Sequence, residues 1–264
     1  MKKKLLKILI GLVALVAIVL LGAFTFLQRA EFGGDPDTSL MARSSNYANG
    51  EFHYPIPTSV IAEGQSGLSI TFSDLTHPVD KLEPAQAIPA LKLYLKGLNP
   101  QQDTLVWLGH SSYFIQLAGR RMLVDPLFKP NAGPGAGFVL ESDKRRILLS
   151  GDTGYGPHFK EIGKRFGSFD LVALDMGQYD PRWPTIHMNP EEASQAAQEL
   201  NAKALLPAHV ARFNLARHPW DEPFDRINSE SKNKPYRLLT PQIGEAVNLG
   251  DEGQQFSSWW AGVR

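Results

Sequence analysis

The chain has 264 residues, of which 43% are hydrophobic, so it is long enough for one sizeable domain with a buried core. Lysine plus arginine equals aspartate plus glutamate at 27 each, so the net charge gives no indication of a nucleic-acid partner. The absence of cysteine excludes disulfides, thiolate metal ligands and a cysteine nucleophile.

The N-terminus carries a lysine cluster followed by an uncharged, mostly aliphatic run over residues 8–27. About 20 such residues span a bilayer, and the lysines favour the cytoplasmic side. We therefore predict that residues 1–27 form a transmembrane anchor in the lipid bilayer, with the remainder on the periplasmic side. The alternative is a cleaved signal segment, which would make the protein secreted. Signal peptides usually have a shorter apolar core of about 7 to 15 residues, and Leu21-Gly22-Ala23 is a poor cleavage site.

Residues 28–103 form a lead-in rich in glycine, proline, serine and asparagine. Prolines at positions 55, 57, 78, 84 and 89 interrupt any long helical period. The pattern predicts an irregular segment with one short helix around residues 87–96.

From Thr104 onward the sequence is rich in β-forming residues. The runs TLVWL, SYFIQL and RMLVD predict three strands, and the AGR between the last two predicts a tight hairpin. After the glycine-rich NAGPGAG, which we expect to be flexible, the runs GFVLES and RRILLS flank a DK turn. They predict a second hairpin.

The later part of the chain alternates between helix and strand patterns: GPHFKEIGKRFG, FDLVALD, NPEEASQAAQELN and KALLP. This alternation is typical of an α/β fold. Asn189 is the predicted cap of the second helix, and Pro190 suits its first position. We assign residues 104–250 to one domain and residues 251–264 to a C-terminal tail.

Two polar residues follow predicted strands and are candidate metal ligands. Asp152 lies between Gly151 and Thr153 after RRILLS, and His209 follows KALLP. Carboxylate oxygen and imidazole nitrogen are donors that zinc, manganese and iron accept. Because ligand sites gather at strand ends in α/β folds, we expect these side chains to lie near each other. A turn-forming aspartate and a surface histidine are the alternatives.

Several segments, taken in order, resemble successive blocks of metallo-β-lactamase-fold hydrolases. They are TLVWLGHSSYFIQLAGRRMLVDPLF, GAGFVLES, RILLSGDTGYGPHF, FDLVALDMGQYD, IHMNPEEA and LLPAHVARFNLARHPWDEP. The branch they resemble contains N-acyl-phosphatidylethanolamine phospholipase D and the sugar-phosphate lactonases. The resemblance covers residues 104–224, and SSNYANGEF in the lead-in is also similar. It implies an α/β (α+β) fold class with an αββα sandwich.

The resemblance also implies a chemistry. In this family the residues matching Asp152 and His209 bind metal, with the aspartate usually bridging two zinc ions. His187 falls where a substrate-side histidine lies, so it is the candidate catalytic residue. The implied reaction is attack of a metal-bound hydroxide on a phosphodiester or ester, with a phospholipid-like substrate and no nucleic-acid partner.

The chain departs from the family at its central signature, a His-x-His-x-Asp-His run some tens of residues after the DPLF block. No two of the seven histidines are closer than nine positions, the spacing of His209 and His218, so no copy of the run exists. At most two of the usual ligands remain. We therefore expect an internally truncated sandwich, at most one weakly held zinc ion and impaired hydrolysis. The alternative is a noncatalytic remnant or scaffold protein.

Two further residues are possible accessory ligands. His110 precedes a strand in LGHSSY, and Asp125 ends one before Pro126. Each also fits a loop-shaping role, as a hydrogen-bonded histidine and a turn residue. The missing family segment is further expected to leave apolar strand faces and an unpaired sheet edge.

Overall fold

The computed structural model describes residues 2–29, 38–53, 59–125, 137–211 and 215–263. The chain divides into two compact units, Met1–Thr58 and Ser59–Arg264. Most of the glycine-rich stretch expected to be flexible lies outside the described residues. All the candidate site residues lie in the second unit.

The first unit begins with helix α1, Lys2–Leu27. Its segment Leu6–Leu27 has a mean hydropathy of 2.9 and is not buried. Among the described residues this is the only helix that is long and apolar enough to cross a membrane, and a signal sequence meets the same criteria. The short helix α2, Thr38–Met41, follows.

The SSNYANGEF segment forms a small hairpin of β1, Tyr47–Ala48, and β2, Glu51–Phe52. Its turn residues Asn49 and Gly50 have φ values of 55° and 88°. Positive φ at both positions is the signature of a type I′ turn, and Asn-Gly is its preferred sequence. This hairpin was not predicted, although its Asn-Gly pair is a local signal for it.

The predicted helix over residues 87–96 is wrong. This part of the chain is not α-helical; Leu91 donates its backbone N–H to Ile243 O at 2.7 Å, and only a 3₁₀ turn follows at Leu95–Gly97. The lead-in helix is instead α3, Gly67–Thr76, capped by Ser66. It has no buried residues, so it lacks the apolar stripe by which helices are recognised in a sequence.

After α3, the second unit contains the strands of the two main sheets and the helices that connect some of them. In chain order these are β3 (Thr104–Trp107), β4 (Tyr113–Leu117), β5 (Arg120–Val124), β6 (Phe138–Glu141), β7 (Arg146–Leu149), α4 (His158–Phe166), β8 (Leu171–Asp175), α5 (Pro190–Glu199), β9 (Ala204–Ala208), α6 (Glu222–Glu230), β10 (Arg237–Leu238) and β11 (Ala246–Asn248), with a 3₁₀ helix at Trp259–Val263. The strands and helices predicted from Thr104 to β9 are confirmed. Helix α6 and strands β10 and β11 were not predicted.

The strands form two sheets. One has the order β11-β3-β4-β5 and is antiparallel throughout, with the predicted hairpin turning at Ala118 and Gly119. The other has the order β10-β9-β8-β7-β6. In it, β6 and β7 form the second predicted hairpin, whereas β7, β8, β9 and β10 run parallel.

The core draws on both sheets, as a sandwich requires. Leu105 and Ile115 from the first sheet and Ile147 and Leu174 from the second are fully buried in one cluster. Alanines of α5 join the same cluster, and α5 contacts β8. Two packed sheets with helices against the parallel one agree with the mixed α/β metallo-β-lactamase fold that the resemblance implies.

Strands β5 and β6 stand at the ends of their sheets among the described residues. Leu123 on β5 is 55% exposed and Phe138 on β6 is 48% exposed. Both strands therefore carry an exposed apolar side chain, while the unpaired edge expected from the missing segment stays a prediction.

Candidate metal centre

The site lies where three neighbouring parallel strands end. Asp175 is the last residue of β8, and His209 directly follows β9, its hydrogen-bonded neighbour. Asp152 follows β7 on the other side of β8. Parallel strands bring their carboxyl ends to one edge of the sheet, which is where open α/β sheets bind ligands.

Asp152 and His209 are in direct contact. Asp152 Oδ1 lies 3.1 Å from His209 Nδ1. The side chain of His209 is 8% exposed and that of Asp152 is 31% exposed. The prediction that the two side chains lie together is confirmed, while their role as metal ligands stays a prediction.

The backbone at His209 is held in an unusual conformation. Its φ of 60° lies in the left-handed region, and its N–H donates to His110 O at 3.2 Å. Gly177 approaches so closely that a Cβ there would lie 2.0 Å from His209 O. Only glycine fits at this contact, so Gly177 helps to fix the position of His209.

The two possible accessory residues sit on loops of the antiparallel sheet. The ring centroid of His110 is 4.0 Å from that of His209, and its carbonyl also accepts from Trp107 Nε1 at 2.8 Å. Asp125 has a φ of 45°, and its carbonyl accepts from Ser112 Oγ. Both residues therefore shape loops, and their accessory ligand roles stay predictions.

Asp175 is a site residue that was not predicted from the sequence. It is fully buried, and its Oδ2 accepts from His187 Nδ1 at 2.7 Å and from the Thr153 N–H at 3.1 Å. The Gly177 N–H donates to its Oδ1 at 3.4 Å. The signal that could have found Asp175 is its place at the end of FDLVALD, the same strand-end position that singled out Asp152.

Asp175, His187 and His209 form a group whose ligand atoms all lie within 4.8 Å of one another. The rings of His187 and His209 are stacked at 4.9 Å. Within the described residues this is the only group of three or more potential metal ligands. Two imidazoles and one carboxylate also make up known catalytic zinc sites, so the donor set fits a transition metal.

Burial controls the protonation of His209. Together with the nearby His110 and His187, it lowers the pKa of His209 to about 2. The imidazole is therefore neutral at physiological pH, which is the form that binds metals.

Burial also raises the pKa of the two site carboxyls. That of Asp175 rises to about 6, although its hydrogen bond to His187 opposes the shift. The pKa of Asp152 also rises, with the charge of His187 again opposing. For His187, burial acts to lower the pKa, but its hydrogen bond and charge attraction to Asp175 outweigh burial and raise it.

A cavity of about 320 Å³ is lined in part by Ser150 and Thr153, which flank Asp152 in the sequence. It lies between the β6–β7 hairpin and α4. Its lining is mainly apolar and includes Phe138, Leu149, Phe159, Ile162 and Phe166.

Comparisons with known proteins identify relatives of this region. Residues 92–210, which contain every candidate site residue, match the family model described as a beta-lactamase superfamily domain. The outer membrane protein RomA of Klebsiella pneumoniae is 49% identical over 84 residues, which are 32% of this chain and 64% of that protein. The N-acyl-phosphatidylethanolamine-hydrolyzing phospholipase D 1 of Caenorhabditis elegans is 28% identical over 124 residues, 44% of this chain and 35% of that enzyme.

Among solved structures, Igni18, a metallo hydrolase from Ignicoccus hospitalis, is similar with a TM-score of 0.41 and 14% sequence identity. The similarity covers 55% of this chain and 97% of that one. This chain spans less than two thirds of the length of either sequence relative named above.

Proposed function

We propose that the protein is a membrane-anchored, metal-dependent hydrolase with strongly reduced turnover, on the premise that residues 92–210 match the model of a beta-lactamase superfamily domain. The contact between Asp152 and His209, at 3.1 Å, is the observation that carries the proposal. It supports these two residues as metal ligands, in line with the family resemblance.

His187 is the proposed catalytic residue beside them. When bound, zinc would polarise a phosphoryl or carbonyl oxygen and make water a better nucleophile. Asp175 holds His187 Nδ1 at 2.7 Å and so fixes the orientation of the ring. The Nε2 atom of His187 is then left to exchange a proton with a substrate.

The proposed loss of turnover follows from the number of ligands. A catalytic zinc normally keeps three protein ligands, and the loss of even an outer partner costs about 10 to 100-fold in affinity or activity. Because the His-x-His-x-Asp-His run is absent, we propose at most one zinc ion, weakly held. The same absence favours the second candidate function, a noncatalytic scaffold or binding protein.

The proposed substrate is a phospholipid-like phosphodiester or ester. One relative is named as a phospholipase D that hydrolyses N-acyl-phosphatidylethanolamine. The apolar cavity that Thr153 helps to line suits an acyl chain. Helix α1 would keep the domain close to lipid on the periplasmic side of a membrane.

The test compares hydrolysis of bis-nitrophenyl phosphate by the full chain and by its Asp152→Ala variant, each supplied with zinc or manganese. We expect the wild-type rate to be no higher than that of the variant, because too few ligands position the metal. An Asp170→Ala variant is a matched control, since Asp170 precedes β8 at the opposite end of the strand. A clear rate that depends on Asp152 alone would overturn the proposed loss of turnover.

A further inference from the structure

We propose that Asp175, His187 and His209 together hold one first-row transition-metal ion, with Asp152 beside them as a further oxygen donor. The inference rests on the proposed metal-dependent function and adds Asp175 and His187 as ligands. It replaces the proton-exchange role proposed for His187, because Nε2 would then bind the metal, and it replaces the weak two-ligand site with one of three donors. Family resemblance makes neither Asp175 nor His187 a ligand. Our inference places His187 among the metal ligands, whereas the family resemblance places it on the substrate side.

Distance and burial bring these donors together. The ligand atoms of the three residues lie within 4.8 Å of one another. Asp175 is fully buried, His209 is 7% exposed, and the side chain of His187 is 14% exposed. Asp152 Oδ1, 3.1 Å from His209 Nδ1, is a more exposed carboxylate oxygen next to this group.

Hydrogen bonds and close backbone contacts hold the donors in place. The carboxylate of Asp175 is held by the backbone N–H groups of Thr153 and Gly177. His209 is fixed by the close approach of Gly177 and by the His110 carbonyl. Metal sites whose ligands stand on strand ends with such support are pre-organised.

The two carboxylates of the site, Asp152 and Asp175, favour a bound cation. Among the ion pairs of the described residues, Asp152 and Asp175 each pair with a histidine and not with a lysine or arginine. Asp180, by contrast, is paired with the buried guanidinium of Arg182 at 2.7 Å. Buried carboxylates are stable when they are paired with a charge or coordinate a metal. A divalent ion at this place would add positive charge next to both carboxylates.

The donor set determines the kind of ion. Two imidazoles with one carboxylate suit zinc, iron, cobalt or manganese, whereas magnesium and calcium prefer oxygen ligands. Three donors equal the usual number of protein ligands of a catalytic zinc. They would thus replace part of the shell that the absent histidine-rich run provides in the family. Because the described residues contain one such group, we infer a single ion.

The test is a Co²⁺ titration of the full chain in detergent micelles after treatment with a chelator. Visible absorption reports the coordination of Co²⁺, and mass spectrometry of the metal gives the stoichiometry. We expect one Co²⁺ per chain, and at least about 10-fold weaker binding in the Asp175→Asn and His187→Gln variants. Magnesium in excess should not compete.

Matched controls come from the same elements. Asp170→Asn changes a carboxylate next to the opposite end of β8, and His158→Gln changes the first residue of α4. Both variants should bind Co²⁺ as the wild type does. Circular dichroism of each metal-free variant checks that it is folded.

Unchanged Co²⁺ affinity in either Asp175→Asn or His187→Gln overturns the inference. If Asp152→Ala and His209→Gln lose the metal at the same time, the proposed function stands without it. Loss of binding in the Asp175, His187 and His209 variants supports the inference, even if hydrolysis is never detected. A wild-type chain that binds no Co²⁺ overturns both the inference and the metal-dependent function.

X-ray absorption of the zinc-loaded wild-type chain gives a readout that does not depend on the folding of variants. The inference expects two imidazole ligands, from His187 and His209. A first shell with one imidazole, or none, contradicts it.

Discussion

At the scale of single residues, a buried ion pair lies in the loop between β8 and α5, which also carries His187. Asp180 and Arg182 are 5% and 8% exposed, and Arg182 donates to both carboxylate oxygens of Asp180 at 2.8 and 2.7 Å. Arg182 also reaches Asp74 on α3 at 2.6 Å. This cluster ties the lead-in helix to the loop that carries His187.

We predict that Asp180→Asn lowers the free energy of unfolding by about 3 kcal/mol at pH 7, because it leaves the buried guanidinium of Arg182 without its main partner. Urea unfolding of the metal-free protein measures the loss. Glu191→Gln is the control. It breaks the more exposed pair with Arg226, which should contribute less than about 1 kcal/mol.

The same pair predicts a dependence on pH. Burial acts to raise the pKa of Asp180, but its hydrogen bonds to Arg182 outweigh burial and lower it below the usual 3.8. Its stabilisation is therefore fully present above pH 3.8 and is lost as the pH falls through the lower folded-state value. The difference between wild type and Asp180→Asn should shrink over that range. A difference that stays constant with pH would mean that the charge of Asp180 is not what stabilises the fold.

At the scale of elements, α5 shows how a local sequence signal fixes a helix. Asn189 accepts from the Glu192 N–H at 2.9 Å, and Glu192 Oε2 accepts from the Asn189 N–H at 2.9 Å. This capping box satisfies two backbone donors at the start of the helix. The helix then buries Ala193, Ala196 and Ala197 against the core.

We predict that Asn189→Ala costs about 1 kcal/mol of stability, because the first-turn N–H groups lose their acceptor. Thermal unfolding followed by circular dichroism measures the change. Gln195→Ala, on the exposed face of the same helix, should leave the stability nearly unchanged. Equal losses in both variants would contradict the cap as the cause, because a change to alanine costs no helix propensity.

The parallel strands are the element on which the site depends. β7, β8 and β9 pair side by side with their carboxyl ends together, and the residues that follow them reach the same place. The antiparallel sheet adds the loop with His110, through a bridge between His110 and Val210. A change in the register of β8 would therefore move Asp175 away from His209.

At the scale of the whole molecule, helix α1 predicts where the domain lies relative to a membrane. The 22 residues Leu6–Leu27 are long and apolar enough to span a bilayer. The preceding lysines predict that the domain lies outside the cytoplasm.

We predict that protease added to intact spheroplasts removes the C-terminal part of the chain. A variant without residues 2–27 should stay in the cytoplasm and remain protected. Full protection of the unmodified chain would contradict this topology. Recovery of a shortened, soluble chain outside the cells would instead identify residues 1–27 as a cleaved signal segment.

Elements whose signals are local could be predicted from the sequence without the structure. Alternating β-forming runs predicted β3 to β7, and the cap at Asn189 with its alanine stripe predicted α5, because hairpins and capped helices depend on neighbouring residues. Order and spacing of several blocks also indicated a resemblance to the family whose model matches residues 92–210. Where local signals were weak or misread, the prediction failed, as in the helix expected over residues 87–96.

The composition of the site, by contrast, depends on tertiary packing. Asp152 and His209 were singled out as strand-end residues, whereas Asp175, which also ends a predicted strand, was not. Its hydrogen bond to His187 and its distance from His209 depend on the parallel pairing of β8 with β7 and β9. Contacts between residues far apart in the chain form through the packing of the sheet, and no local pattern records which carboxylate that packing will enclose.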